Sequence, residues 1–265
     1  MNSEELLSLV SNRRRFLSYI DKEQSHKRDI VDDMGVSRST VDRALSDLSN
    51  EQLVVRTDQG YKITKKGKIS LETIESSLAT LVSIENGTKL LNYLPRDIDV
   101  PPSVFEESEV YPSEEPNPLM PVERSVNRLE ACDRVIGLPY GDTHPKLSEL
   151  FFERSRSGEL EVELVVNQSF ADHVITRYGS QMAYYYRNQN HKTWVNQDVE
   201  FGFLLFYEGD GERLHLNAHG PMGNHQGHIE TSSTPAIRWA ENAFRELKRD
   251  GRPLIEYMKK QSSLS

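Results

Sequence analysis

The feature that most limits what this chain can become is the run KRDIVDDMGVSRSTVDRALSDLSNEQLVVRTDQGYKIT, residues 27–64. Ile30, Val31 and Met34 mark the apolar side of a short helix. Gly35 follows where the chain must turn through positive φ. Ser37 then stands as N-cap to a second helix, in which Val41, Leu45 and Leu48 recur at helical spacing. Two strand-like runs, LVVR (53–56) and YKIT (61–64), flank TDQG, which suits a hairpin tip. Ahead of all this, residues 4–20 place Leu6, Leu7, Val10, Phe16, Leu17 and Ile20 near one face of a helix. Helix, helix-turn-helix and β-hairpin, in that order, make a winged helix.

Such a unit reads duplex DNA by projecting short polar side chains from its second helix into the major groove. The outward positions here are Arg38, Ser39, Thr40, Asp42 and Arg43. Arg reads guanine edges or grips phosphate, and Ser and Thr contact either. Ser37 marks free N–H groups at the helix start, where a phosphate can sit. Lys27, Arg28, Lys62, Lys65 and Lys66 are expected as phosphate contacts around that helix and the wing. The competing readings are a plain solvated face and a winged helix that contacts protein. Net charge, −9, argues against a nucleic-acid partner until its distribution is read. Residues 1–70 carry 13 Lys and Arg against 11 Asp and Glu, and the rest carries 19 against 30. DNA binding depends on a local cationic face, and the acidity lies outside the segment that would touch DNA.

A length of 265 residues suits two domains. The expected division is a DNA-binding unit over 1–66, a connector over 67–122 and an effector or oligomerisation domain over 123–265. A linker helix starts near Lys65, with Leu71, Ile74, Leu78, Leu81, Val82 and Ile84 at helical spacing. Residues 95–122 hold seven prolines and seven acids, so no long helix fits there and an ordered arm is expected. Beyond Pro121, strand-like DRVIGL (133–138) and LEVELVV (160–166) alternate with helical stretches. TWVN (193–196), EFGFLLFYE (200–208), RLHLNAHG (213–220) and HIETS read as three or four antiparallel strands before a closing amphipathic helix over 233–251. The fold class is therefore α+β, with an α/β C-terminal domain. No window approaches the roughly 18 to 20 apolar residues of a membrane span. The start lacks a secretory pattern, and the single Cys132 leaves no intrachain disulfide. A soluble cytoplasmic protein without a cofactor is expected.

Two clusters compete for an effector role. AYYYRNQNHKTWVN (183–196), read as a strand, offers Tyr184, Tyr185, Tyr186, Arg187, Asn188, His191 and Trp194 as a polar-rimmed aromatic pocket for a small metabolite, with His215 further on. The same residues also suit a half-buried interface. His215, His219, His225 and His228 fall close together in HLNAHGPMGNHQGH. A metal sensor is one reading of that group; a hairpin turn with solvated histidines is the other. No metal ligand set is assigned. Cys132, ahead of a buried strand, reads as core rather than as a redox sensor.

Three segments carry a family resemblance: the reader already quoted, DRVIGLPYGDTHPKLSELFFERSRSGELEVELVVN, and SSTPAIRWAENAFRELKRDGRPL. With them the chain resembles the archaeal winged-helix regulators of the methanogenesis-regulatory, FilR-type family. That resemblance implies a homodimer or higher homo-oligomer, and an effector domain similar to phospholipase-D-like sensing domains. Catalytic relatives of that fold carry His-x-Lys-x4-Asp. Here His144-Pro145-Lys146 is followed by Phe151 in the aspartate's place, so catalysis of that kind is not expected. The leading expectation is a regulator of transcription on an inverted-repeat DNA operator, tuned by a small molecule. Its alternatives are a metal-responsive regulator using the histidine group, a constitutive factor that does not sense, and a nucleic-acid or nucleotide hydrolase targeted by the winged helix.

Overall fold

The structure is a computed structural model that describes residues 2–141, 144–185, 190–209, 211–221 and 223–262. Within 178–185 and 260–262 it describes the backbone alone. The chain divides into two compact units, Met1–Ala79 and Thr80–Ser265.

In the first unit, α1 (Ser3–Lys22) opens with a capping box. Asn2 Oδ1 accepts from Glu5 N at 2.8 Å and Asn2 N donates to Glu5 Oε2 at 2.9 Å. After α2 (Lys27–Met34), Gly35 takes φ 63° and donates its N–H to Val31 O. Helix α3 (Arg38–Asn50) and the hairpin β1 (Val54–Thr57) and β2 (Gly60–Ile63) follow. One core serves all of these elements: Val10, Leu17 and Ile20 of α1, Ile30 of α2, Val41, Leu45 and Leu48 of α3, and Leu53. Leu71 and Ile74, from the start of α4 (Lys65–Leu91), close it. The wing is tied to the body through a bridge between Ser25 and Tyr61, with N–H to O distances of 3.2 and 2.9 Å. Gly60, at φ 115°, makes that approach possible: a Cβ there would lie 2.3 Å from Ser25 O. Gly60→Ala is expected to destabilise this unit by about 1–3 kcal/mol, measured by urea unfolding, because both backbone strain and overpacking act at one site.

In the second unit the described strands form one mixed sheet, ordered β10-β6-β5-β4-β7-β8-β9-β3. The strands are β3 (Ser108–Pro112), β4 (Arg134–Leu138), β5 (Glu161–Val166), β6 (His191–Val195), β7 (Gly202–Glu208), β8 (Gly211–His219), β9 (His225–Thr231) and β10 (Arg252–Pro253). Strands β4, β5 and β6 are parallel, and the remaining pairings are antiparallel. Period-two alternation makes both faces apolar. Ile136, Leu138, Val165, Phe203, Leu205 and Leu216 pack with α8 (Thr234–Asp250). Val135, Val162, Leu164, Val166, Leu204 and Phe206 pack with α5 (Met120–Ala131), α6 (Pro145–Ser157), α7 (Gln168–Tyr185) and α9 (Leu254–Ser262).

Four departures from the sequence reading have physical causes. The proline-rich arm supplies β3, which works as an edge strand because Pro112 ends it and no outer neighbour needs its N–H. Helix α5 was not foreseen; its apolar face, Val122, Val126 and Leu129, follows directly on that arm. TWVN joins the parallel part of the sheet, not an antiparallel set, because α7 carries the chain back to the same sheet end before it. The stretch read as a strand at Tyr185 is the end of α7. Among the described residues no helix is long and apolar enough to cross a membrane.

Candidate functional site

Helix α3 separates two faces. Val41, Ala44, Leu45 and Leu48 are buried, while Arg38, Ser39 and Arg43 are exposed. Ser37 fixes the helix start: its Oγ accepts from Thr40 N at 3.2 Å and lies within 3 Å of both the Ser39 and Thr40 hydroxyls. The short polar side chains at this end are thus held as a group, beside N–H groups that end in solvent. Lys62 and Lys65 are exposed, and Arg28 has a loose 3.7 Å pair with Asp32. Lys27 is placed differently. Its Nζ donates to Asp42 Oδ1 at 2.6 Å, so it ties α2 to α3 and neutralises the acid on the outer face. Lys66 donates to Glu51 O. Arg56, which the sequence reading passed over, is exposed on the wing opposite Tyr61. Its place inside an apolar run, LVVR, hid it.

In the second unit, α6, α7 and the sheet enclose a cavity of about 510 Å³. Its floor is Leu164, Val166 and Leu204, and its walls include Phe151, Phe152 and Val174. Of the residues expected to form an effector pocket, Tyr186, Arg187 and Asn188 lie outside the described residues, and so do the Tyr184 and Tyr185 side chains. Trp194 and His215 are not brought together. Trp194 packs on the α8 face, with Lys248 Nζ 4.3 Å above its ring. His215 is on the opposite face, against Phe206 and α5.

Two of these histidines are withdrawn from solvent. His215 and His228 are fully buried and stack with ring centroids 4.1 Å apart and planes 10° apart. His225 and His219 continue the row toward the cavity, where His219 and Asn217 form part of the lining. Glu230, which lies beyond the cluster in sequence, is opposite His215 in the β8–β9 register and accepts its Nε2–H at 2.8 Å. His215 Nδ1 then accepts from Ser125 Oγ at 3.0 Å, a neutral tautomer that satisfies both nitrogens. Arg128 holds Glu230 at 2.8 Å and Glu208 at 3.1 Å. Together Arg128 and His215 hold the Glu230 carboxyl well below the usual carboxylate range, against the effect of burial.

What this network can do is limited by its geometry. Ser125, His215 and Glu230 are linked as in a nucleophile relay. Yet Ser125 is 4% exposed, and its Oγ also reaches back to Pro121 O. The relay therefore pins α5 to the sheet. His215, His228 and Glu230 can each offer an atom within 4.8 Å of the others. To bind one metal, however, imidazole lone pairs must converge on it within their ring planes, and stacked rings aim theirs side by side. Two arginines also share Glu230.

Both units match known families. Residues 1–86 match the HVO_A0261 N-terminal domain. Residues 118–250, half of the chain, match the middle domain of methanogenesis regulatory protein FilR1. The chain belongs to the archaeal FilR-type regulator family. A curated relative of this FilR-type chain is methanogenesis regulatory protein FilR1 of Methanothrix harundinacea (strain 6Ac), 27% identical over 158 residues. That match takes in 57% of the chain, which spans 34% of the relative's length. Among solved structures, TrmBL2, an archaeal chromatin protein, aligns with TM-score 0.43 and 8% identity over 82% of this chain and 83% of its own. NucT from Helicobacter pylori aligns with TM-score 0.39 and 13% identity over 55% and 96%. In the FilR-type chain, Phe151 borders the cavity and His144 caps α6, its Nδ1 accepting from Lys146 N at 3.2 Å.

Proposed function

We propose that this FilR-type chain is a sequence-specific, DNA-binding regulator of transcription. It reads an inverted repeat as a homodimer through α3 and the wing, and its second unit responds to a small molecule. The observation that carries the reading is α3: a capped helix with a fully buried inner face and Arg38, Ser39 and Arg43 on the outer one. Exposed Leu81 and Val82 on α4 support a helix-to-helix contact between two copies. The 510 Å³ cavity is within the size range of small-molecule sites and supports the response.

The test is selection from randomised duplex DNA at several salt concentrations. One enriched inverted repeat is expected, with affinity falling as salt rises. Arg38→Ala and Arg43→Ala should each weaken the selected site by about 1–3 kcal/mol and relax the preference at one base. Lys62→Ala and Lys65→Ala should weaken all sequences alike and lower the salt slope by about 1. Unchanged affinity and preference in both arginine variants would remove α3 as the reader. An effector must bind the DNA-competent and DNA-incompetent states with different affinity.

A further inference from the structure

The cavity runs across the sheet. His191 and Thr193 on β6 stand at one end, and Asn217 and His219 on β8 at the other. Strand order places β5, β4 and β7 between them. Four strand spacings separate the ends by about 19 Å. The floor between is hydrocarbon, Leu164 and Leu204, with Phe151 and Phe152 on the wall.

The polar groups at the two ends carry no charge near neutral pH. Burial pushes His191 and His219 down to about 4. Asn217 Oδ1 faces His225 Nε2 at 3.3 Å, which leaves its Nδ2 N–H groups as donors. The charged residues on the lining, Glu149, Glu153 and Arg177, are exposed. A carboxylate or phosphate drawn inside would lose its water without a buried counter-charge. A sugar would press hydroxyls against Leu and Phe side chains that cannot bond them.

We propose that this cavity is a binding site for an uncharged, elongated, mainly hydrocarbon molecule with a hydrogen-bonding group at each end. The site deepens the small-molecule response proposed above. Its regulatory consequence rests on that reading, but its occupancy does not.

The test uses the whole chain without DNA. The neutral dye N-phenylnaphthylamine is bound, then displaced by dodecanediol, hexanediol or dodecanedioate at pH 7. Dodecanediol is expected to compete at least about ten-fold better than the shorter diol or the dicarboxylate, since each mismatch forfeits buried apolar contact or desolvates charge. Equal competition by dodecanedioate would overturn the assignment. Val174→Trp should fill the cavity and abolish dye binding while leaving the circular dichroism unchanged. A folded Val174→Trp that binds dye as before would also overturn it. Should that variant not fold, Thr193→Val keeps the shape and removes one hydroxyl. It is expected to weaken dodecanediol about five-fold, the worth of one hydrogen bond, and no change would refute the β6 end. Loss of DNA binding by the parent chain would strike the regulator reading and leave these results standing.

Discussion

Acidification from pH 7 to 4 is expected to unfold the second unit. Seven of the eight histidines lie there. Burial pushes His191 and His219 down to about 4 and His225 to about 3, and it lowers His215 and His228 as well. For His228 the cause is plain: both ring nitrogens are buried without a hydrogen-bond partner among the described residues, so a proton added there has no acceptor. A depressed histidine leaves the unfolded chain binding more protons, so its contribution is complete above about 6.5 and falls as pH drops toward the folded value. Each such group removes about 1.4 kcal/mol per pH unit across that window. Glu230, held below its usual range by His215 and Arg128, adds loss of the same sign below the ordinary carboxylate value. Several groups acting together can exceed the 5–15 kcal/mol of an ordinary domain. Trp194 and Trp239 both lie in this unit, so tryptophan fluorescence follows it alone. The urea midpoint should fall steeply between pH 7 and 5. An unchanged midpoint would show that the buried histidines are solvated after all.

The first unit was legible because its signals are local. Gly35 at a left-handed turn, Ser37 at a helix start and the stripe Val41–Leu45–Leu48 each depend on neighbours a few residues away. Lys27 was not, because its partner Asp42 is brought close only when α2 packs on α3. The sheet was half legible. Buried strands such as β4 and β5 stand out as apolar runs, but pairing is a long-range property. Nothing local in HKTWV states that it lies parallel to β5, or that Ser108–Pro112 would add an edge to β9. The stretch ending at Tyr185 misled for a related reason: tyrosines favour strands in isolation, and the helix begun at Gln168 continues through them.

The candidate sites follow the same division. The histidine group was visible as a cluster, yet its chemistry was decided by Glu230, Ser125 and Arg128, which arrive from β9 and α5. The β8–β9 register could have pointed to Glu230, since antiparallel pairing of the two strands sets it opposite His215. The cavity left little local signal: His191, from the expected aromatic pocket, lines it, but Leu164, Leu204 and Phe151 look like core residues until α6 stands off the sheet.

Glu230→Ala is expected to cost the second unit about 3–5 kcal/mol, the largest effect of any single polar substitution argued for this chain. The carboxylate accepts from His215 Nε2 at 2.8 Å and from Arg128 Nη2 at 2.8 Å, with Arg124 Nη2 at 3.5 Å. Alanine leaves a buried imidazole N–H without an acceptor and two half-buried guanidinium groups without their shared anion. Glu230→Gln keeps the shape and one acceptor, so its cost should be smaller, near the 1.5–3 kcal/mol of a charged hydrogen bond. Ser125→Ala removes one neutral bond to His215 Nδ1 and should cost about 1 kcal/mol. Urea unfolding followed by tryptophan fluorescence at pH 7 measures all three. The order Ala at 230, Gln at 230, Ala at 125 is what a connected network requires. If Glu230→Ala costs no more than Ser125→Ala, the arginines find water instead, and α5 is held by its apolar face, Val122, Val126 and Leu129, alone.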